Sequence, residues 1–398
     1  MKTRLAGIAL AASLTLITQL VAPTSAHAAK ELKIGFLSTL SGPAGGLGVE
    51  IRDGFNLALK LAGGKLGGLP TEVIVADDGL NPDNGRQLAE RMLKRDRVNL
   101  MTGIVFSNVM LAVWPTLEQS KVFYIAPNST PTSITGKGCS PYFFSASWPN
   151  EAHHEAAGEF ANSKGFRNAF LIAPNYPAGK DALTGFKRTY KGAIVSETYS
   201  KLNQLDYSAE LAQIRADHPA AVYAFLPGGM GINFIKQFVA SGLSKDTQLI
   251  VPGFVSDQDV VRAVGEPMLG LFDTSQWAYD LDNDANRKFV AAFEKEYHRI
   301  PTLYAEQGYT AALIIDQAVR DAKGRVEDEK AFHAALMKAP ERAKTPRGKW
   351  KEAPNGTPIQ DYYVRALVKD RDGRIVNRKI ATILHDHRDY WAKDCPMK

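Results

Sequence analysis

An alternation of short β-rich runs with stretches of helical spacing proceeds along this chain to about Ala126 and begins afresh near Glu151. No other feature constrains the fold as tightly. The first series places strands at Leu32–Thr39, Thr71–Asp77, Val98–Phe106 and Lys121–Ala126, with helices expected over Gly48–Leu61, Asn84–Leu93 and Val109–Gln119. In the second, helices are expected over Glu151–Ser163, Lys180–Tyr190, Tyr207–Ala216 and Gly231–Ser241. Strands are expected over Ala169–Ala173, Ala193–Tyr199, Ala220–Leu226 and Gln248–Val251. Further helical spacing follows at Asn286–Tyr297 and Ala311–Ala322. Tyr362–Val368 and Ile375–Ile383 read as a hairpin turning at Asp372-Gly373. Strands that alternate with helices build βαβ units and parallel sheets. Two such series of similar size predict two doubly wound α/β lobes.

The N-terminus predicts export. Lys2 and Arg4 precede an apolar run from Leu5 to Ala22, and Pro23 leads to Ala26-His27-Ala28. This is the pattern of a secretory signal peptide over 1–28, cleaved after Ala28. The run is too short and too rich in small residues for a membrane anchor, and it has no cysteine for lipid attachment. A soluble periplasmic protein beginning at Ala29 is expected. Its 370 residues suit two domains better than one core. The formal charge of +6 falls to +4 without Lys2 and Arg4, and no Lys/Arg block stands out, which argues against a nucleic-acid partner. The two cysteines, Cys139 and Cys395, predict one disulfide in an oxidising compartment, with two free thiols as the alternative.

Ligands of open parallel sheets bind beyond the carboxyl ends of strands. Two loops there carry polar groups. Gly103–Asn108 ends a strand and opens a helix, with Ser107 expected as its N-cap. Ala126–Pro131 ends the next strand and clusters Asn128, Ser129 and Thr130. From sequence pattern alone, capping and turn chemistry is the favoured reading of such residues. Signals for catalysis or metal binding are weak. There is no G-x-S-x-G elbow, P-loop or G-x-G-x-x-G. His153-His154 lacks the H-E-x-x-H spacing and reads as a solvated helix face; His385-Asp386-His387 reads as a surface loop. Asp77-Asp78 suits a turn, and Gly228-Gly229-Met230-Gly231 a strand-to-helix turn. No enzyme activity, metal or cofactor is expected.

Along nearly all of its mature length the chain resembles the leucine/isoleucine/valine-binding family of periplasmic receptors. Ile34-Gly35-Phe36, Leu40-Ser41-Gly42-Pro43 and Gly48 are similar to the family's opening strand and first ligand loop. Asp77-Asp78 with Asn81-Pro82 resembles its second strand and turn, and Asp206-Tyr207-Ser208-Ala209 with Ala220–Tyr223 a second-lobe helix and strand. The resemblance implies a type I periplasmic binding protein fold, its two lobes joined by a multi-strand hinge. It further implies a cleft that captures a small molecule, and a membrane permease of an ABC importer as partner. The lobes implied are 29–147 plus 277–343 and 148–276 plus 344–398. A monomer is expected, and a Cys139–Cys395 bridge would anchor the tail near the hinge.

Matching positions imply a ligand site. Ser107, Asn128 and Thr130 fall where amino-acid-binding relatives grip the ligand carboxylate. Those relatives pair the α-ammonium with a second-lobe acid; here Phe254 occupies that position. A buried ammonium without its partner costs about 3–5 kcal/mol. Asp257 and Glu306 are candidates to replace it. Leu47, Phe106, Tyr176, Phe225 and Tyr304 join Phe254 as expected walls, which suits a flat ring. The implied ligand is an aromatic acid of benzoate or cinnamate type. An amino-acid or amide receptor, a sensor domain of a signalling system and an exported hydrolase are the rivals.

Overall fold

The computed structural model describes residues 30–397. The expected signal peptide, 1–28, lies outside the described residues. The first sheet has six strands: β1 (Leu32–Ser38), β2 (Lys65–Leu66), β3 (Leu69–Asp77), β4 (Leu100–Thr102), β5 (Phe123–Ala126) and β6 (Phe143–Ser145), in the order β2-β3-β1-β4-β5-β6. All pair in parallel except β2 with β3. Helices α1 (Gly45–Leu61), α2 (Pro82–Arg91), α3 (Ser107–Gln119) and the short α4 (Thr132–Thr135) connect them.

The second sheet has eight strands: β7 (Asn168–Pro174), β8 (Ala193–Ser200), β9 (Ala221–Ala224), β10 (Gln248–Pro252), β11 (Phe272–Ser275), β12 (Lys351–Glu352), β13 (Pro358–Lys369) and β14 (Ile375–His387). Its connecting helices are α5 (Ala152–Ser163), α6 (Pro177–Thr189), α7 (Ser208–Asp217), α8 (Gly229–Ala240) and α9 (Gln258–Val264). This sheet is mixed, because the C-terminal hairpin expected from the sequence joins the parallel wound strands. β7 to β11 run parallel, while β13 is antiparallel to β11, β12 and β14.

Three chain crossings join the lobes: after β6, after β11 and before β12. Between the last two, α10 (Asp284–Tyr297), α11 (Leu303–Asp321) and α12 (Glu329–Arg342) return to the first lobe, α10 and α11 packing on α1. Glycines permit the close approach of α1 and α11. A Cβ on Gly54 would lie 1.8 Å from the Ala305 carbonyl oxygen, and one on Gly308 would lie 1.9 Å from that of Ile51. The contact seats the first turn of α11, with Tyr304, against the cleft. Arg347, on the third crossing, binds the first. Its guanidinium donates to the carbonyls of Ala146 and Ser147 and to Gln360 Oε1, and Nε lies 3.3 Å from Glu306 Oε1.

Directly paired across β11 and β13, Asp273 and Arg365 are fully buried and bidentate, at 2.7 and 3.2 Å. Ser256 and Asn377 complete the carboxylate's shell, so the buried pair is hydrogen-bonded throughout. Cys139 and Cys395 form a disulfide with a Cα separation of 5.6 Å. It ties the loop before β6 to the C-terminal tail.

Two histidine readings are corrected. His153 and His154 do not face solvent; both are buried, because the first turn of α5 points into the junction of the lobes. His385-Asp386-His387 is the end of β14 and not a loop. His385 is exposed, whereas His387 Nε2 pairs with buried Glu155.

Candidate functional site

Loops at the strand ends of both sheets meet in a narrow cavity of about 30 Å³ between the lobes. The lobes are in contact here. Phe106, just before α3, and Tyr176, just before α6, have ring centroids 6.1 Å apart across the cleft. Leu47, in the first turn of α1, comes close to Gly228, whose φ of 65° opens the turn into α8.

Six aromatic residues line it: Phe106, Trp148, Tyr176, Phe225, Phe254 and Tyr304. Phe254 stands at their centre. Its ring lies 4.7 Å from Trp148, 6.1 Å from Phe225 and 6.1 Å from Tyr304 by centroid, and 4.5 Å from the His153 imidazole. Each aromatic follows a strand or opens a helix, so the sheet ends aim them into the cleft.

A polar end faces these rings, formed by Ser107, Asn128, Ser129 and Asn150. The hydroxyls of Ser107 and Ser129 are 2.9 Å apart. Asn150, on the first crossing, donates to Ser107 Oγ at 3.0 Å and to Asp181 Oδ2 at 2.9 Å, while its Oδ1 accepts from the Thr130 N–H. The Asn150 amide is therefore fully used. Ser107 accepts from it, and whichever way the serine pair shares its own bond, one hydroxyl hydrogen remains for a ligand. Asn128 donates one of its amide hydrogens to Gln307. Ser107 is not the N-cap; Phe106 is, and no side chain caps α3. Its first-turn N–H groups and positive dipole end thus sit beside the serines.

No Asp, Glu, Lys or Arg lines the cavity. Asp257 and Glu306 are buried outside the cavity lining, each with one carboxylate oxygen engaged and, among the described residues, one without a hydrogen-bond partner. Asp257 accepts from the Leu303 N–H. Glu306 accepts from Thr310 and pairs with Arg347, while burial still pushes its carboxyl above the ordinary range. His154 lines the cavity, and burial followed by repulsion from His153 holds its imidazole neutral.

Ser107, Asn128, Leu47, Phe106, Tyr176, Phe225, Phe254 and Tyr304 all reach the cavity. Thr130 does not; its hydroxyl faces Ser145 Oγ at 2.9 Å and the Asn128 carbonyl at 3.3 Å. Its neighbour Ser129 takes that place. Sequence reasoning also missed Trp148, Asn150 and His154. The signal for the first two is the segment Trp148-Pro149-Asn150, an aromatic and an amide about a proline between the two series.

Among the described residues there is no cluster of metal-ligating side chains, and no helix is long and apolar enough to cross a membrane.

A family model described as periplasmic binding protein matches residues 31–373. The Leu/Ile/Val-binding protein homolog 6 of Brucella melitensis biotype 1 is 28% identical over 379 residues, covering 93% of this chain and 96% of the relative. Among solved structures, the solute-binding protein of an ABC transporter from R. palustris, in complex with benzoate, superposes with a TM-score of 0.86 at 30% identity. The match covers 92% of this chain and 100% of that one. A solute-binding protein of an ABC transporter from Rhodopseudomonas palustris BisB5, in complex with 3,4-dihydroxy benzoic acid, gives 0.83 at 28% identity, covering 91% and 99%. With a fold of two α/β lobes closed over an aromatic cleft, and a family match over most of its length, the chain belongs to the periplasmic binding protein family.

Proposed function

We propose that the protein is the solute receptor of an ABC importer and that it captures an aromatic monocarboxylate. One observation carries the reading: the cleft joins six aromatic side chains to an uncharged cluster of Ser107, Asn128, Ser129 and Asn150, with no carboxylate in its lining. An α-ammonium would be buried there without a partner, at about 3–5 kcal/mol. An aromatic carboxylate meets neither problem. Its ring gains contacts of about 0.5–1.5 kcal/mol beyond area burial. Its anionic end faces the uncapped start of α3, the free serine hydroxyl and the Asn128 amide, donors suited to an oxyanion. The likeness to receptors solved with benzoate and with 3,4-dihydroxy benzoic acid supports the same class.

In this reading the lobes, 29–147 plus 277–343 and 148–276 plus 344–398, close about the three crossings when a ligand contacts both. The closed form is then presented to a membrane permease, and no covalent step is needed. Export with cleavage after Ala28 delivers the receptor to the periplasm.

Calorimetric titration and thermal shift with benzoate, cinnamate and leucine test the proposal. At a hundred times its Kd an aromatic acid adds about 2.7 kcal/mol of stability. Micromolar binding of leucine with none of either aromatic acid overturns the reading.

A further inference from the structure

The tautomer of His154 follows from its surroundings. Its Nδ1 is hydrogen-bonded to the hydroxyl of Tyr223, on β9. Tyr223 is fully buried, and among the described residues its hydroxyl has no other partner. A buried hydroxyl keeps its hydrogen paired where a partner exists. The Tyr223 O–H therefore donates to Nδ1, which must be the unprotonated nitrogen. Burial keeps the imidazole neutral, so its one proton sits on Nε2. His153 is differently placed: its Nδ1 faces the Thr274 carbonyl at 2.9 Å, and its ring backs Phe254 outside the cavity lining.

We infer that His154 presents its Nε2–H to the bound ligand as a neutral hydrogen-bond donor, and so selects aromatic acids that carry an oxygen substituent on the ring. The inference deepens the aromatic-acid reading above and rests on it. The carboxylate end belongs to the first lobe, at Ser107 and Ser129. His154 belongs to the opposite group, its ring 5.0 Å from Phe225 and 6.5 Å from Phe254, the rings against which the ligand's own ring lies. Beyond the carboxylate, an unsubstituted ring offers this donor nothing. Closing the cleft on benzoate leaves the N–H without water and without a partner. A ring hydroxyl supplies the missing acceptor. The discrimination is by an unmatched buried donor, which costs a factor of about ten or more.

The test titrates the mature protein with benzoate, 3-hydroxybenzoate and 4-hydroxybenzoate, and records ¹⁵N spectra of its histidines. At least one hydroxybenzoate binds about tenfold or more tightly than benzoate. In His154→Phe that preference falls to within about threefold, because benzoate no longer faces an unmatched donor and binds more tightly while the hydroxybenzoates lose theirs. The His154 spectrum shows the Nε2-protonated neutral form from pH 6 to 8. Tyr223→Phe, which removes only the hydroxyl behind the wall, shifts that spectrum toward mixed tautomers and shrinks the preference. Equal affinities for all three acids, or a proton on Nδ1, overturn the inference and leave the aromatic-acid reading standing. Failure of all three acids to bind overturns that reading and this inference with it.

Discussion

Asp257, at the start of α9 in the second lobe, accepts a hydrogen bond from the main-chain N–H of Leu303, the first residue of α11 in the first lobe. Helix α11 is thus capped twice. Thr302 caps it from within, accepting from the Ala305 N–H, and Asp257 caps it from across the cleft. Near this latch, Arg262 of α9 pairs with Glu50 of α1. The latch exists only while the lobes are closed.

That geometry makes closure sensitive to pH. Burial pushes the Asp257 carboxyl up to about 8, with Arg365 opposing the shift and Asp259 adding to it. Asp259 is itself raised to about 6 by burial and by Glu50. Where opening of the cleft exposes Asp257 to water, its carboxyl is expected to return toward the ordinary value of about 3.9. Between these values the closed form binds more protons than the open one. Its advantage is therefore full below the open-form value and is lost as pH rises toward about 8. Ligand affinity should fall as pH rises from about 6 to 8, by no more than about tenfold per unit. Calorimetry in buffers of different ionisation heat should register proton uptake on binding. Asp257→Asn should flatten the pH profile and reduce the uptake.

The grip on the carboxylate separates Ser107 from Thr130. Ser107→Ala deletes a hydroxyl that lines the cavity and also bonds Asn150 and Ser129; it should weaken binding of an aromatic acid by about 1–3 kcal/mol, with a loss of stability of about 1 kcal/mol. Thr130→Val keeps the shape but removes a hydroxyl bonded within the wall to Ser145 and the Asn128 carbonyl. It should lower stability by about 1 kcal/mol and affect binding less. Paired calorimetry and thermal denaturation check both. A larger binding loss in the threonine variant than in the serine variant contradicts the placement of the anion.

The alternation of strands and helices was enough to read two α/β lobes, because each βαβ unit is specified by local periodicity. What escaped had no local period. β6 and β11 are three and four residues long, too short to show a pattern of their own. Helix α11 starts at Leu303, well ahead of the spacing visible from Ala311, because its first turn is stabilised by Thr302 and by Asp257 from the other lobe. His153 and His154 were misjudged for the same reason. Neighbouring histidines beside two glutamates look solvated until tertiary contacts bury the whole turn, with Arg188 answering both Glu151 and Glu155. Of the cavity lining, the strand-end loops were visible as polar clusters, whereas Asn150 enters from the first crossing and His154 from the first turn of α5.

Reduction should loosen the tail without dismantling the cleft. The Cys139–Cys395 bridge closes a separation of 256 residues. In the chain-entropy model such a loop contributes about 5 kcal/mol, an upper-end figure. The tail has other anchors: Trp391 Nε1 donates to Glu151 at 2.9 Å, and Arg188 lies over Tyr390. Cys139→Ser with Cys395→Ser should lower the melting temperature markedly while ligand affinity at 25 °C stays within about threefold, since neither cysteine lines the cavity. The intact mass of the exported wild type should show cleavage after Ala28 and two hydrogens fewer than the dithiol.

Phe254 is the sharpest test of ligand class. Its ring is the common neighbour of Trp148, His153, Phe225 and Tyr304, so it both builds the wall and excludes charge from it. Phe254→Leu keeps the site apolar but gives up the ring contacts, and should weaken an aromatic acid by about 1–2 kcal/mol. Phe254→Glu puts a carboxylate into a lining that has none and sets it against a ligand of like charge. Either the new group ionises and repels the ligand, or it stays protonated and leaves a polar group among rings; both cost binding. The loss should exceed that of the leucine variant by at least about tenfold. Leucine binding should not appear, because the remaining aromatic walls still fit a flat ring. Titration of both variants with benzoate and leucine checks the order. Tight leucine binding by the wild type, lost in neither variant, would mean that the ligand does not meet this ring at all.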